Sequence, residues 1–439
     1  VTTMSAGMQY VYVGGKGTVT ALNGGTQMVY SGGTSLATTI NSGGTMLYGA
    51  GAQAEDTTVN GGTIQLEDVD KAGGTVYALG NVTATDGIIN VAANDYAKKD
   101  YSTANRSLSL TSLTGTATFV INTDLANNTG DTISIGTANN ATANIKVGYD
   151  PFYDIATKNQ TLSGTYQVLS KGSGTLTVNS VQTDWGALRF TPTIVDNGDG
   201  TYSTVAIKEN SFDPSENIMT AADARAVLNE AWFQTVNSLS KRLGDIRSNN
   251  NSEDGIWARF QRSNNKAKGD REAKLNGNLF QIGYDKAFSR ADGKTYVGVA
   301  VDHLDGTGSY ANGSGKTKGT SFAIYDTWMG HTGHYYDVVA RYGHFSNDYT
   351  LTDLSETISD ADYGVNAWSL SGEYGYRKQL KNGMYIEPQG EIIYGRVGSG
   401  DYTTSLKWPV SVDATNHFIT RLGIAVGKES KNSSYYAKA

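Results

Sequence analysis

The sequence predicts an all-β chain in three parts: a right-handed parallel β-helix, one long α-helix, and a membrane-spanning antiparallel β-barrel. Three observations predict it. Gly-Gly-Thr units recur between residues 21 and 66, and residues 220–246 carry a sustained helical period. From Gly255 onward, segments of about ten residues alternate apolar and polar positions.

A chain of 439 residues exceeds the usual size of a single core, so at least two folding units are expected. With 53 Gly, 27 Tyr, 5 Pro and no Cys, the composition suits many tight turns between regular strands. Disulfide frameworks and thiolate metal sites are excluded. A net charge of -7 argues against a nucleic-acid partner, which would call for a basic stripe. No apolar run reaches the roughly 18 residues of a membrane helix, so the closed barrel is the remaining membrane architecture. The chain starts at Val1 inside repeat-like sequence without a charged, apolar leader, and reads as a fragment or a mature piece.

In the repeat, "ALNGGTQMVY" (21–30), "TINSGGTMLY" (39–48) and "TVNGGTIQL" (58–66) align, with an offset glycine series at Gly14, Gly32 and Gly51. Glycine supplies positive φ at each corner, and the Thr, Met, Val and Ile that follow suit a half-buried strand. Two short strands per unit are implied. So short a unit cannot bury its own core, so coils must stack. A disordered Gly/Ser/Thr linker would not keep Ile40, Val59 and Leu66 in phase.

Between 100 and 210 the repeat fades into strands such as "ATFVINTDL" and "TYQVLS", as a terminal cap should. Asp196, Asn197, Asp199 and Gly200 resemble a calcium loop, but no Glu closes the shell, and a hairpin turn accounts for them.

After the break "SFDPSEN", Thr220 with Asp223 reads as a helix N-cap. Leu228, Trp232, Val236, Leu239, Leu243 and Ile246 share one face, while Arg225, Asn237, Lys241, Arg242 and Asp245 share the other. Such a helix is about 40 Å long, enough to span a bilayer, yet its charges forbid lipid contact. A polar-lined pore would accept it.

About nine barrel segments follow. In "NAWSLSGEYGYRK" (366–378), Trp368, Leu370, Tyr374 and Tyr376 fall opposite Ser369, Ser371, Glu373 and Gly375. Ile256, Ala258 and Phe260 oppose Arg259 and Gln261, and Phe280, Ile282 and Tyr284 oppose Gln281 and Asp285. The apolar face would meet lipid and the polar one the lumen. A soluble β-sandwich would also alternate, but has no need of so many Tyr and Trp near strand ends.

"SLSKRLGDIR" followed by "GIWARF", then "QIGYDKAF", "YDTWMGHTGHYYDVVARYGHF" and "YIEPQGEIIYG", resembles the translocator domain of autotransporters, the type V secretion proteins. "LTSLTGTATFVINTDLANNTGDTISI" (110–135) is similar to the pertactin-type cap, or autochaperone, and the Gly-Gly-Thr units resemble those of AIDA-type self-associating adhesins. The resemblance implies four parts: a β-helical passenger at 1–100, a cap at 101–210, a linker and pore helix at 211–254, and a translocator barrel at 255–439. It implies an outer-membrane barrel of about twelve strands, about nine of them present here. The chain stops at "YYAKA", short of the family's final strand, so this stretch is not expected to close a normal barrel by itself. Implied partners are outer-membrane lipid, the barrel-assembly machinery, and a host or bacterial surface ligand or a second copy. Implied localisation is the outer membrane, with the passenger at the cell surface.

Some relatives cut the helix between two Asn. The matching pair here is Asn237 and Ser238, and the uncut helix is the expectation. Lys241, Arg242 and Asp245 would form its polar face, with Arg259, Asp285, Glu373 and Glu387 lining the lumen. No Gly-Asp-Ser-Gly nucleophile occurs, and no His precedes residue 300, so no enzyme is expected in this stretch. An enzymatic passenger upstream of Val1 is the alternative. His331, His334 and His344 fall at a turn and a strand and read as solvated; neither metal nor cofactor is expected.

Overall fold

The computed structural model describes residues 2–18, 20–67, 76–92, 105–149, 164–185, 187–205, 213–236, 254–268, 271–354, 358–430 and 433–438. The chain forms two compact units, Val1–Ser215 with Leu354–Thr357, and Glu216–Asp353 with Ile358–Ala439.

The first unit is a stack of parallel coils. Strands Thr20–Leu22, Thr39–Asn41 and Thr57–Asn60 lie side by side, so Leu22 sits next to Ile40 and Ile40 next to Val59. Thr26, Thr45 and Thr63 align in the same way one corner on. Each coil holds three strands rather than two. The third, Thr34–Leu36 in one coil and Gln53–Glu55 in the next, follows the offset glycines and is too short to show a period. Leu22, Ile40, Met46, Val59 and Ile64 are buried in the interior, each contributing about 1.5–3 kcal/mol. At the corners Gly43 and Gly61 have φ of 82° and 68°. A β-carbon on Gly44 would lie 2.4 Å from the Leu22 carbonyl oxygen of the coil beneath, so stacking requires glycine there.

Longer parallel strands, Val76–Asn90, Ser107–Asp124, Thr132–Tyr149 and Thr165–Ser180, continue the stack. Pairing then turns antiparallel at Thr201–Val205 and Thr193–Asp196. These two form the expected hairpin. Asp196 accepts from the Gly198 amide at 2.8 Å and Asp199 from the Thr201 amide at 2.9 Å, so the turn itself uses the carboxylates.

The second unit begins with helix α1 (Glu216–Val236). It starts four residues before the expected Thr220 cap. Ser215 is itself a favourable N-cap type, and Glu216 places negative charge in the first turn. Asn237, Ser238, Leu239, Lys241, Arg242, Leu243, Asp245 and Ile246 lie outside the described residues.

Among the described residues, eight long strands and a short ninth then run up and down in sequence order: β1 (Asp254–Lys268), β2 (Glu272–Arg290), β3 (Gly293–Tyr310), β4 (Gly313–Gly330), β5 (His334–Thr352), β6 (Ile358–Tyr376), β7 (Met384–Val397), β8 (Thr415–Ser430) and β9 (Ser433–Lys438). Burial alternates, and its chemistry is inverted relative to a soluble sheet. Ile256 and Phe260 are 78% and 67% exposed, and Tyr374 is 56% exposed, whereas Gln281, Asp285 and Glu373 are buried. An apolar exterior around a polar interior is stable only against lipid. On β2 the outward apolar side chains run from Phe280 to Phe288, about 27 Å of strand at ~3.4 Å per residue.

Up-and-down order puts the turns at 291–292 and 331–333 on one rim, with the start of β1. The β3–β4 turn at 311–312 and the connection at 398–414 fall on the other, with the ends of β1 and β5, and there a small hairpin pairs Gly400–Thr403 with Pro409–Val412.

Candidate functional site

The candidate site is the barrel interior and the helix within it. α1 is buried on more than one face: Leu228, Trp232 and Val236 are covered as expected, but so are Asp223, Arg225 and Gln234. Leu275, Leu279, Phe345 and Ile393 of the wall pack with Leu228 and Trp232, while a stripe through Ile218, Ala222, Asn229 and Phe233 is less covered.

The wall makes room for it with small residues. A β-carbon on Gly395 would lie 2.5 Å from Cζ2 of Trp232, and one on Gly277 2.5 Å from Oε1 of Gln234. Asn347 on β5 donates from Nδ2 to the Ala224 carbonyl at 3.1 Å. Arg271 donates to Glu216 at 2.8 Å and Asp223 at 3.1 Å, and Arg225 donates to the Val397 carbonyl at 3.0 Å and to Oγ1 of Thr415 at 3.2 Å. The Arg421 guanidinium lies 5.3 Å from the Phe233 ring centre and pairs with Glu391 at 2.7 Å.

Arg259, Asp285, Glu373 and Glu387 stand at separate points of the wall. Asp285 accepts from the Tyr325 hydroxyl at 2.9 Å, which in turn accepts from the Trp257 indole at 2.9 Å. Glu373 accepts from the Tyr335 hydroxyl at 2.9 Å. Glu387 accepts from Nε of Arg377 at 2.6 Å, and that guanidinium covers the Tyr385 ring. Arg259 is half-buried beside Gln281.

Two features escaped sequence reasoning. Asp302 on β3 gathers Arg341, Ser321 and Gln281 from three strands. Asp337, Glu373 and Glu391 are register neighbours on β5, β6 and β7, a buried carboxylate row ending at Arg421. The signal was present, since each is a charged residue at an inward position of an alternating strand, but only the register joins them. Among the described residues no group of His, Asp and Glu could hold a metal. His334 bonds the Tyr374 hydroxyl at 2.7 Å, and His344 bonds Oδ1 of Asn366 at 2.9 Å.

Residues 256–439 match the autotransporter beta-domain family. The strands that hold α1 are an autotransporter β-domain. It is an outer-membrane barrel. The chain is similar to the serine protease EspP of Escherichia coli, 32% identical over 241 residues, covering 54% of this chain and 18% of that protein. It is also similar to the BrkA autotransporter of Bordetella pertussis, 31% identical over 217 residues, covering 47% and 21%. The crystal structure of the Bordetella BrkA β-domain is 27% identical, covers 43% of this chain and 78% of that one, and has a TM-score of 0.40. The chain spans about a fifth of the length of these curated relatives. The expectation of a protein that is not an enzyme is corrected here. Relatives sharing the β-domain are named serine proteases, EspP and EspC among them, so the motifs missing between Val1 and Ala439 do not establish inactivity.

Proposed function

We propose that the β-domain carries the solenoid of this same chain to the cell surface and that the solenoid acts there in adhesion or self-association. The observation behind this reading is a set of exposed polar ladders along the stack. Asn41 donates to Asn23 at 2.6 Å and Asn60 to Asn41 at 3.4 Å, while Asn81 donates to Asp56 at 2.9 Å and Ser112 to Asn81 at 2.8 Å. Repeated donors and acceptors at coil spacing favour many weak, aligned bonds to another regular surface. Residues 1–100 would be the repeat passenger, 101–210 a pertactin-like cap, 211–254 the linker and pore helix, and 255–439 the barrel. Lys241, Arg242 and Asp245 would face the lumen that Arg259, Asp285, Glu373 and Glu387 line, with lipid outside and the barrel-assembly machinery as the insertion partner. The Asn237–Ser238 bond stays uncut, which keeps the passenger tethered.

The test is a settling assay on cells displaying the full-length protein, with and without Asn23→Asp, Asn41→Asp and Asn60→Asp together. The reading expects wild-type cells to settle or bind a surface and the variant, displayed at equal level, to stay dispersed; equal settling sinks it. A second reading, that an enzymatic passenger lies upstream of Val1, is favoured by the serine-protease names of the relatives. Substrate cleavage by displaying cells, blocked by a serine-directed inhibitor, would support it.

A further inference from the structure

We infer that Arg271 is a positioning residue, a latch at the rim opposite the start of β1 that clamps α1 in the lumen and keeps it closed to ions. Arg271 occupies the turn between β1 and β2. Its Nη1 donates to Oε2 of Glu216 at 2.8 Å and lies 3.3 Å from Sδ of Met219; its Nε donates to Oδ2 of Asp223 at 3.1 Å. Residues 216, 219 and 223 are spaced by three and four, so they form one stripe over two turns of helix. One guanidinium fork therefore grips about 10 Å of the helix.

Both carboxylates are buried, so removing the arginine takes a cationic partner from each of them. On the same rim, Arg225 reaches outward from α1 to Val397 and Thr415, the end of β7 and the beginning of β8. The two arginines work in opposite directions: one projects from the barrel to the helix, the other from the helix to the barrel. Together they fix the helix at one rim.

This inference rests on the display reading, with α1 as the plug of the lumen. The test is single-channel recording in planar bilayers of the full-length protein extracted from outer membranes. Wild type, Arg271→Glu and the swapped triple variant Glu216→Arg, Asp223→Arg, Arg271→Glu are compared, with heat-modifiable gel mobility checked for each. We expect Arg271→Glu to raise open probability about tenfold and the swap to return it towards wild type, with mobility unchanged. Arg271→Gln, neutral and of similar length, gives the same reading if the glutamate variant does not reach the membrane. Equal conductance in wild type and the Arg271 variants, or a swap that conducts like the single variant, overturns the latch. A wild type with no heat-modifiable form would instead defeat the barrel reading beneath it.

Discussion

The indole of Trp232 on α1 and the imidazole of His417 on β8 stack with ring centres 4.7 Å apart and planes 25° apart. Trp232 is fully buried, and Gly395 on the neighbouring β7 leaves no space for a side chain at its Cζ2 edge. The helix is thus seated against the wall by shape as well as by charge.

Trp232→Ala should cost about 3–5 kcal/mol of stability, the usual range for emptying a buried tryptophan site. Gly395→Ala should cost less in Trp232→Ala than in the wild type, because the ring contact is then gone and the Trp368 carbonyl oxygen, 2.7 Å from the added β-carbon, is the main clash left. Heat-modifiable gel midpoints of the two single variants and the double variant measure this. Additive losses would contradict the contact.

Arg341 and Asp302 pair inside the barrel wall, both fully buried. Breaking the pair by Asp302→Ala should cost about 3–5 kcal/mol because an unpaired cation is left behind, while Asp302→Ala with Arg341→Met should recover most of the loss. Urea-induced unfolding of the barrel in detergent reads both.

In the solenoid, Asp131 accepts from the Arg106 amide at 2.9 Å and the Asn122 amide at 2.7 Å and is wholly buried. Burial pushes its carboxyl up from 3.8 to about 6, against the lowering effect of those two amides and of the Arg106 charge. The folded state therefore holds the proton more tightly than the unfolded chain. The stability this gives is complete below about 3.8 and is lost as pH rises through about 6, up to about 3 kcal/mol in all. Thermal unfolding of the solenoid should show a fall between pH 4 and 7 that Asp131→Asn removes. An unchanged slope in the variant would contradict it.

Gly44→Val should disrupt the coil stack, since its side chain would meet the Leu22 carbonyl. Protease digestion of displayed cells should cut this variant within the solenoid under conditions that leave the wild type whole.

The faces of the barrel were legible in sequence because a period of two needs no long-range information: Phe280, Ile282 and Tyr284 fall outward and Gln281 and Asp285 inward. The coils were legible through Asn-Gly-Gly, whereas the third strand of each coil, only three residues long, was not. Ser215 and Thr220 are both favourable cap types, and the sequence alone does not separate them. The latch was invisible because a single arginine in a turn has no period. Its partners at 216 and 223 are recognisable only once the β1–β2 turn is placed beside the helix.

The central claim is that one polypeptide holds an outer-membrane barrel, an uncut helix in its lumen and a solenoid outside the cell. The most direct measurement is a gel of outer membranes carrying the full-length protein, heated and unheated, probed at both termini, with and without protease added to intact cells and beside Asn237→Asp. The account predicts one intact heat-modifiable band, a solenoid removed by external protease, and no change in the variant. Two fragments that the variant abolishes would place a break at Asn237 and contradict the tether. A protein with no heat-modifiable form would contradict the barrel.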